Sequence, residues 1–133
     1  MQTQIFVNLP IKDLKKSMDF FWKLGYTFNP QFTDEKATCM IISDTIFVML
    51  VVEDYFKTFI IKEIADASKV TESMIALSME SKQKVDEMLA KAVEAWATIP
   101  KKVNDYGFMY EWTFQDLDWH LWNPFWMDPA NIK

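Results

Sequence analysis

The sequence predicts an α+β fold: two tandem βαβββ modules forming a cup-shaped eight-stranded mixed sheet with helices outside, in a single domain over residues 1–133. Three observations predict it. Residues 4–52 read strand, helix, strand, strand, strand. Residues 72–127 return the same order at a spacing of about 70 residues, although almost no residue identity survives between the halves. Neither half is large enough to bury a core alone, so each sheet takes its helix on one face and the opposite faces enclose a cup, where a pocket belongs. The modules span about residues 1–52 and 71–128, with a linker over about residues 53–70.

The first strand covers residues 4–9 and ends at Pro10, which removes a ladder donor. Asp13 is placed as a helix N-cap. Leu14, Met18, Phe21 and Trp22 then follow at the spacing of one amphipathic helix face, and Leu24 and Gly25 end the helix. Three extended stretches come next, at residues 26–32, 37–42 and 46–52, separated by polar turn material. In the linker, Tyr55, Phe56, Phe59, Ile60 and Ile64 give an imperfect helical stripe. The second module opens with a strand over residues 72–79. Ser81 then caps a helix with Val85, Met88, Leu89, Ala92 and Trp96 on its apolar side, and Asp86 and Glu87 lie near its positive end. A short extended piece at residues 97–99, a turn containing Pro100 and two lysines, and strands at residues 108–115 and 120–127 complete it.

Composition excludes several function classes. The chain has 14 lysines, no arginine and 19 acidic residues, a net charge of -5, so it lacks the basic face that nucleic acid needs. Half its residues are apolar, which excludes an acidic disordered tail. The longest apolar run, Ile46–Val52, is far short of the roughly 18 residues that span a bilayer, so no membrane partner is expected. Residues 1–12 lack a signal-peptide layout, and a lone cysteine, Cys39, fits a reducing, cytoplasmic setting. With only Gly25 and Gly107, no glycine-rich phosphate loop or nucleophile elbow is possible, and nucleotide cofactors are disfavoured.

The opening IFVNLPIKDLKKSMDFFWKLGY and the closing FQDLDWHLWNPFWMDP resemble the glyoxalase, bleomycin-resistance and extradiol dioxygenase superfamily, the vicinal oxygen chelate proteins. The shared pattern is a strand, Asp13, Leu14, Ser17, Phe20, Phe21, Leu24 and Gly25, then Asp116-x-Asp118-x-His120-x-Trp122. The resemblance covers nearly the whole chain. It implies the paired-module fold, a homodimer and, in the metal enzymes of the superfamily, one divalent ion held by His and Glu at four strand positions. Those positions fall at Phe6, Met49, Met74 and Asn123, none of which is His, Asp or Glu. A phenyl ring, two thioethers and an amide do not neutralise a hard or borderline cation. The resemblance also puts glycine where Trp119 stands, and Trp96 occupies the place that Gly25 has in the first module. If either backbone has positive φ, tryptophan is strained there.

The expectation is therefore a metal-independent protein, without a cofactor, that binds a small molecule in an apolar, aromatic cup. Its candidate ligand-binding residues are Phe6, Met49, Met74, Asn123, Glu72, Glu111, Trp112 and Phe125. Asn123, which can donate and accept, is its polar anchor. Flat apolar or cationic ligands suit such walls. Glu72 and Glu111 are the nearby candidate bases. The alternative is an enzyme, a glyoxalase-like lyase or a dioxygenase, with one divalent metal ion at a displaced site using Glu72, Glu111 and His120. His120 is the only histidine, and strand alternation puts it on the face opposite Asn123. Without arginine, glutathione-type carboxylate substrates are disfavoured.

Overall fold

The computed structural model describes residues 1–131. The chain divides into two compact units, Met1–Asp66 and Ala67–Lys133, each with its own four-stranded mixed sheet and helices, which is the α+β architecture expected. No helix among the described residues is long and apolar enough to cross a membrane.

The first unit holds β1 (Ile5–Ile11), α1 (Leu14–Lys23), β2 (Thr27–Asn29), β3 (Ala37–Ile41), β4 (Ile46–Val52) and a short helical turn α2 (Glu53–Phe56). Its strand order is β1-β4-β3-β2, with β1 and β4 parallel and the other pairs antiparallel. The parallel pair requires a crossover, and α1 is part of it. Asp13 caps α1 as expected, its carboxylate accepting from the Lys16 N–H at 3.1 Å. Gly25 closes the helix with φ 104°. The buried stripe of α1 is Ser17, Phe20 and Phe21, with Leu24 just beyond, while Trp22 is 64% exposed. The expected stripe was therefore rotated by about one residue. β1 runs through Pro10 to Ile11, two residues past the expected end. It is an edge strand, so a missing N–H leaves no ladder position empty on its open side. β2 is shorter than expected, because Pro30 starts a 3-10 turn, Pro30–Phe32. Leu9, Ile11, Met40, Val48 and Leu50 supply the core with Phe20 and Phe21.

The second unit holds β5 (Met74–Ser78), α3 (Lys82–Glu94), β6 (Thr98–Asp105), β7 (Met109–Gln115) and β8 (Leu121–Met127), in the order β5-β8-β7-β6. Ser81 caps α3 by accepting from the Lys84 N–H at 3.1 Å. The expected turn at Pro100 is absent. The segment is the edge strand β6, which carries proline through two register shifts against β7. His120 lies in the turn before β8 rather than on the strand. Val85, Leu89 and Ala92 of α3 are buried, with Phe114, Trp122 and Pro124 on the sheet. Trp96, counted on that stripe from sequence, lies past the helix end with φ 80° and is 81% exposed.

Candidate functional site

Strand alternation gives each sheet two faces. In the second unit, Tyr110, Trp112, Phe114, Trp122, Pro124 and Trp126 share the face under α3. The Tyr110 hydroxyl and the Trp112 indole (3.2 Å) both donate to the Asp86 carboxylate of that helix. The opposite face is laid out in three rows across the strands. Asn104, Glu111, Phe125 and Ser78 form the first row, and Lys101, Thr113, Asn123 and Ala76 the second. Thr98, Gln115, Leu121 and Met74 form the third. The polar groups concentrate on β6 and β7, and the apolar ones on β5 and β8.

The first unit has the same arrangement with different chemistry. Phe6, Phe47, Ile41 and Thr27 form one row, and Asn8, Met49, Cys39 and Asn29 the next. The Phe6 and Phe47 rings stack with centroids 4.8 Å apart. Neither row contains a charged side chain.

Of the residues picked out from sequence, Phe6 and Met49 share the open face of the first unit, and Met74, Asn123, Glu111 and Phe125 share that of the second. Two lie elsewhere. Trp112 is on the helix-covered face, its indole bonded to Asp86 and to the Tyr110 hydroxyl at 3.2 Å. Glu72 is exposed and precedes β5, which begins at Met74 instead of residue 72.

Asn123 is 3% exposed and its amide has a structural task. The Met79 N–H donates to the Phe125 carbonyl at 2.7 Å, so Phe125 turns its backbone toward β5. By alternation Pro124 turns its backbone toward β7, opposite Trp112, and proline has no N–H to give. Asn123 Nδ2 supplies the missing donor, at 3.0 Å from the Trp112 carbonyl and 3.2 Å from the Thr113 hydroxyl.

Glu111 is half-buried and positioned. Asn104 Nδ2 donates to Oε1 at 3.1 Å, and Phe125 is the cross-strand neighbour on the other side. The sequence reading missed Asn104 because it took Pro100 for a turn. The two register shifts set Thr98, Lys101 and Asn104 three residues apart on one face, a spacing that strand alternation does not reveal.

Asp116, 5% exposed, organises the β7–β8 turn. Its Oδ1 accepts from the Asp118 N–H at 2.8 Å and the His120 N–H at 3.1 Å, and Oδ2 from the Trp122 indole at 2.9 Å. Burial pushes its carboxyl above the ordinary range, with His120, the Trp122 bond and the Asp118 backbone bond acting in the opposite direction. The Asp116-x-Asp118-x-His120-x-Trp122 spacing is thus a turn held by one carboxylate, and inside it Trp119 takes φ 63°. Burial likewise pushes the Cys39 thiol up, away from nucleophilic use.

The residues do not fit the divalent ion of the superfamily's metal enzymes. Phe6 has no donor atom, Met49 and Met74 offer thioethers, and the Asn123 amide is engaged with β7. Among the described residues no group of three or more His, Cys, Asp or Glu side chains could hold a metal ion.

Residues 3–43 match the family described as bleomycin resistance protein-like N-terminal. A hypothetical protein of S. aureus has the same fold, with TM-score 0.79 at 27% identity over 94% of each chain. A glyoxalase/bleomycin resistance protein/dioxygenase family enzyme from Burkholderia phytofirmans gives 0.79 at 13% identity, over 95% of this chain and 99% of that one. A glyoxalase-related enzyme from Fulvimarina pelagi gives 0.78 at 16% identity, over 95% and 88%. Comparison with curated proteins returns no match. The N-terminal region thus matches a bleomycin resistance protein-like family model, and over more than nine-tenths of its length the chain has the fold of solved glyoxalase/bleomycin resistance/dioxygenase structures.

Proposed function

We propose that this protein is a member of the glyoxalase/bleomycin resistance/dioxygenase superfamily that binds a small molecule without a metal, using the open sheet faces of its units. The observation that carries the proposal is the chemistry at the four positions where the resemblance places metal ligands. Phe6, Met49 and Met74 offer apolar surface, and Asn123 completes the β7–β8 ladder with its amide nitrogen. Phe6 at 47% and Met74 at 53% exposure keep that apolar surface open to a ligand.

The test has two parts. The protein, purified without chelator, is incubated in turn with Ni, Co, Mn, Fe(II) or Zn, desalted and assayed for metal by elemental analysis. It is then titrated with flat apolar molecules while its tryptophan fluorescence is followed. No retained metal with saturable binding is the expected result. Near-unit stoichiometry with one metal, lost on replacing His120 or Glu111, would overturn it. A homodimer belongs to the same proposal, and sedimentation equilibrium giving a monomer would remove that part.

A further inference from the structure

We propose that the open face of the second unit selects a ligand that carries a protonated amine on an apolar body, with Glu111 as the anchor of the cation and Asn104 as the residue that positions it. The inference rests on the small-molecule reading above and names the chemical class of its ligand.

Three features of the row Asn104, Glu111, Phe125 and Ser78 carry it. First, the carboxylate is held rather than free to swing, since Asn104 Nδ2 donates to Oε1 at 3.1 Å. That bond leaves Oε2 as an acceptor, and a pre-oriented carboxylate loses less freedom when it meets a donor. Second, among the described residues no ion pair reaches Glu111, and the pairs of Lys57 with Asp54, Lys82 with Asp105 and Lys84 with Glu87 lie elsewhere. Lys101, the other charged residue of the three rows, is exposed and stands opposite Thr113, one row away. A half-buried carboxylate without a counter-ion favours an incoming cation with N–H donors.

Third, the neighbouring surface is suited to the remainder of such a ligand. Phe125 pairs directly with Glu111 across the strands, so an ammonium bonded to Oε2 lies beside an aromatic ring. Beyond it, Leu121 and the half-exposed Met74 form an apolar wall on β8 and β5. At long range the field favours the same ligand class, because the chain carries a net charge of -5 and no arginine.

Three probes of one shape test this: 1-naphthylmethylamine, 1-naphthalenemethanol and 1-naphthoate, which are cationic, neutral and anionic at pH 7. Each is titrated calorimetrically into the wild type, Glu111→Gln and Asn104→Ala. The amine is expected to bind about tenfold or more tightly than the alcohol, with the anion weakest. Glu111→Gln, which keeps size and can still accept from Asn104, should abolish the amine-over-alcohol preference. Asn104→Ala should reduce that ratio to an intermediate value. Equal binding of amine and alcohol to the wild type, or a preference that survives Glu111→Gln, overturns the proposal while leaving the small-molecule reading intact. Failure of all three probes to bind counts against both.

Discussion

Two tryptophans sit in left-handed backbone, Trp96 at φ 80° and Trp119 at φ 63°. For a side chain with a Cβ that region costs about 1–2 kcal/mol, and Trp96, 81% exposed, has little packing to offset it. Trp96→Gly should therefore stabilise the protein by about 1 kcal/mol, read from the midpoint of urea unfolding. Trp119 is half as exposed, at 40%, and its replacement should gain less. Asp116 gives a second prediction at this scale. Asp116→Asn keeps an oxygen for the Asp118 and His120 N–H groups but turns a donor toward the Trp122 indole, so it should destabilise by about 1–3 kcal/mol. A carboxyl held above its ordinary 3.8 binds its proton more readily in the folded state. Its contribution to stability is therefore fullest below that value and is lost as pH rises through the folded value. The deficit of the variant should accordingly be largest below that value and shrink as pH rises, as urea unfolding at a series of pH values will show. Residue roles of this kind were only partly legible. The spacing of Asp116, Asp118, His120 and Trp122 was visible, but its reason, one carboxylate bonded to the next three alternate residues, depends on a turn geometry that no periodicity encodes.

Among the elements, prolines separate what sequence shows from what it hides. Pro10 suits a strand end or edge and lies inside the edge strand β1, while Pro100, expected in a turn, lies inside the edge strand β6, where the unpaired side of the backbone tolerates it. Pro124 is the more demanding case, because β8 is an interior strand between β5 and β7. There the Asn123 amide takes over the donor role, so Asn123→Ala should orphan the Trp112 carbonyl and cost about 1–3 kcal/mol. Pro124→Ala restores a backbone N–H at that point. In a double-mutant cycle the second change should recover part of the loss caused by the first, and strictly additive effects would show that the two residues are uncoupled. The helices were legible for a simpler reason. Asp13, Ser81 and Gly25 act locally through caps and a positive φ, and local chemistry is what a sequence displays most directly.

At the scale of the whole chain, the repetition of strand, helix and three strands announced the architecture, because a duplicated order survives even when residue identity does not. The candidate site was half legible. The resemblance picked out Phe6, Met49, Met74 and Asn123, which lie on open faces with Glu111 and Phe125, whereas Trp112 lies on the helix-covered face and Glu72 precedes β5. A face can be recovered from sequence only when some residue fixes its phase, and on β7 the Asp86 partner that does so comes from a distant helix. The division at Asp66 and Ala67 lies in a stretch without helix or strand between residues 60 and 73. Brief trypsin treatment should cut there first, after the exposed Lys62 or Lys69, giving two fragments resolvable by mass spectrometry.

The partnership of Asn123 and Pro124 also limits what either position can become. A carboxylate at position 123 offers only acceptors where the Trp112 carbonyl needs a donor. With proline next to it, position 123 is therefore restricted to a side chain that can donate, and the pair acts as one unit, in which neither residue can be exchanged without regard to the other.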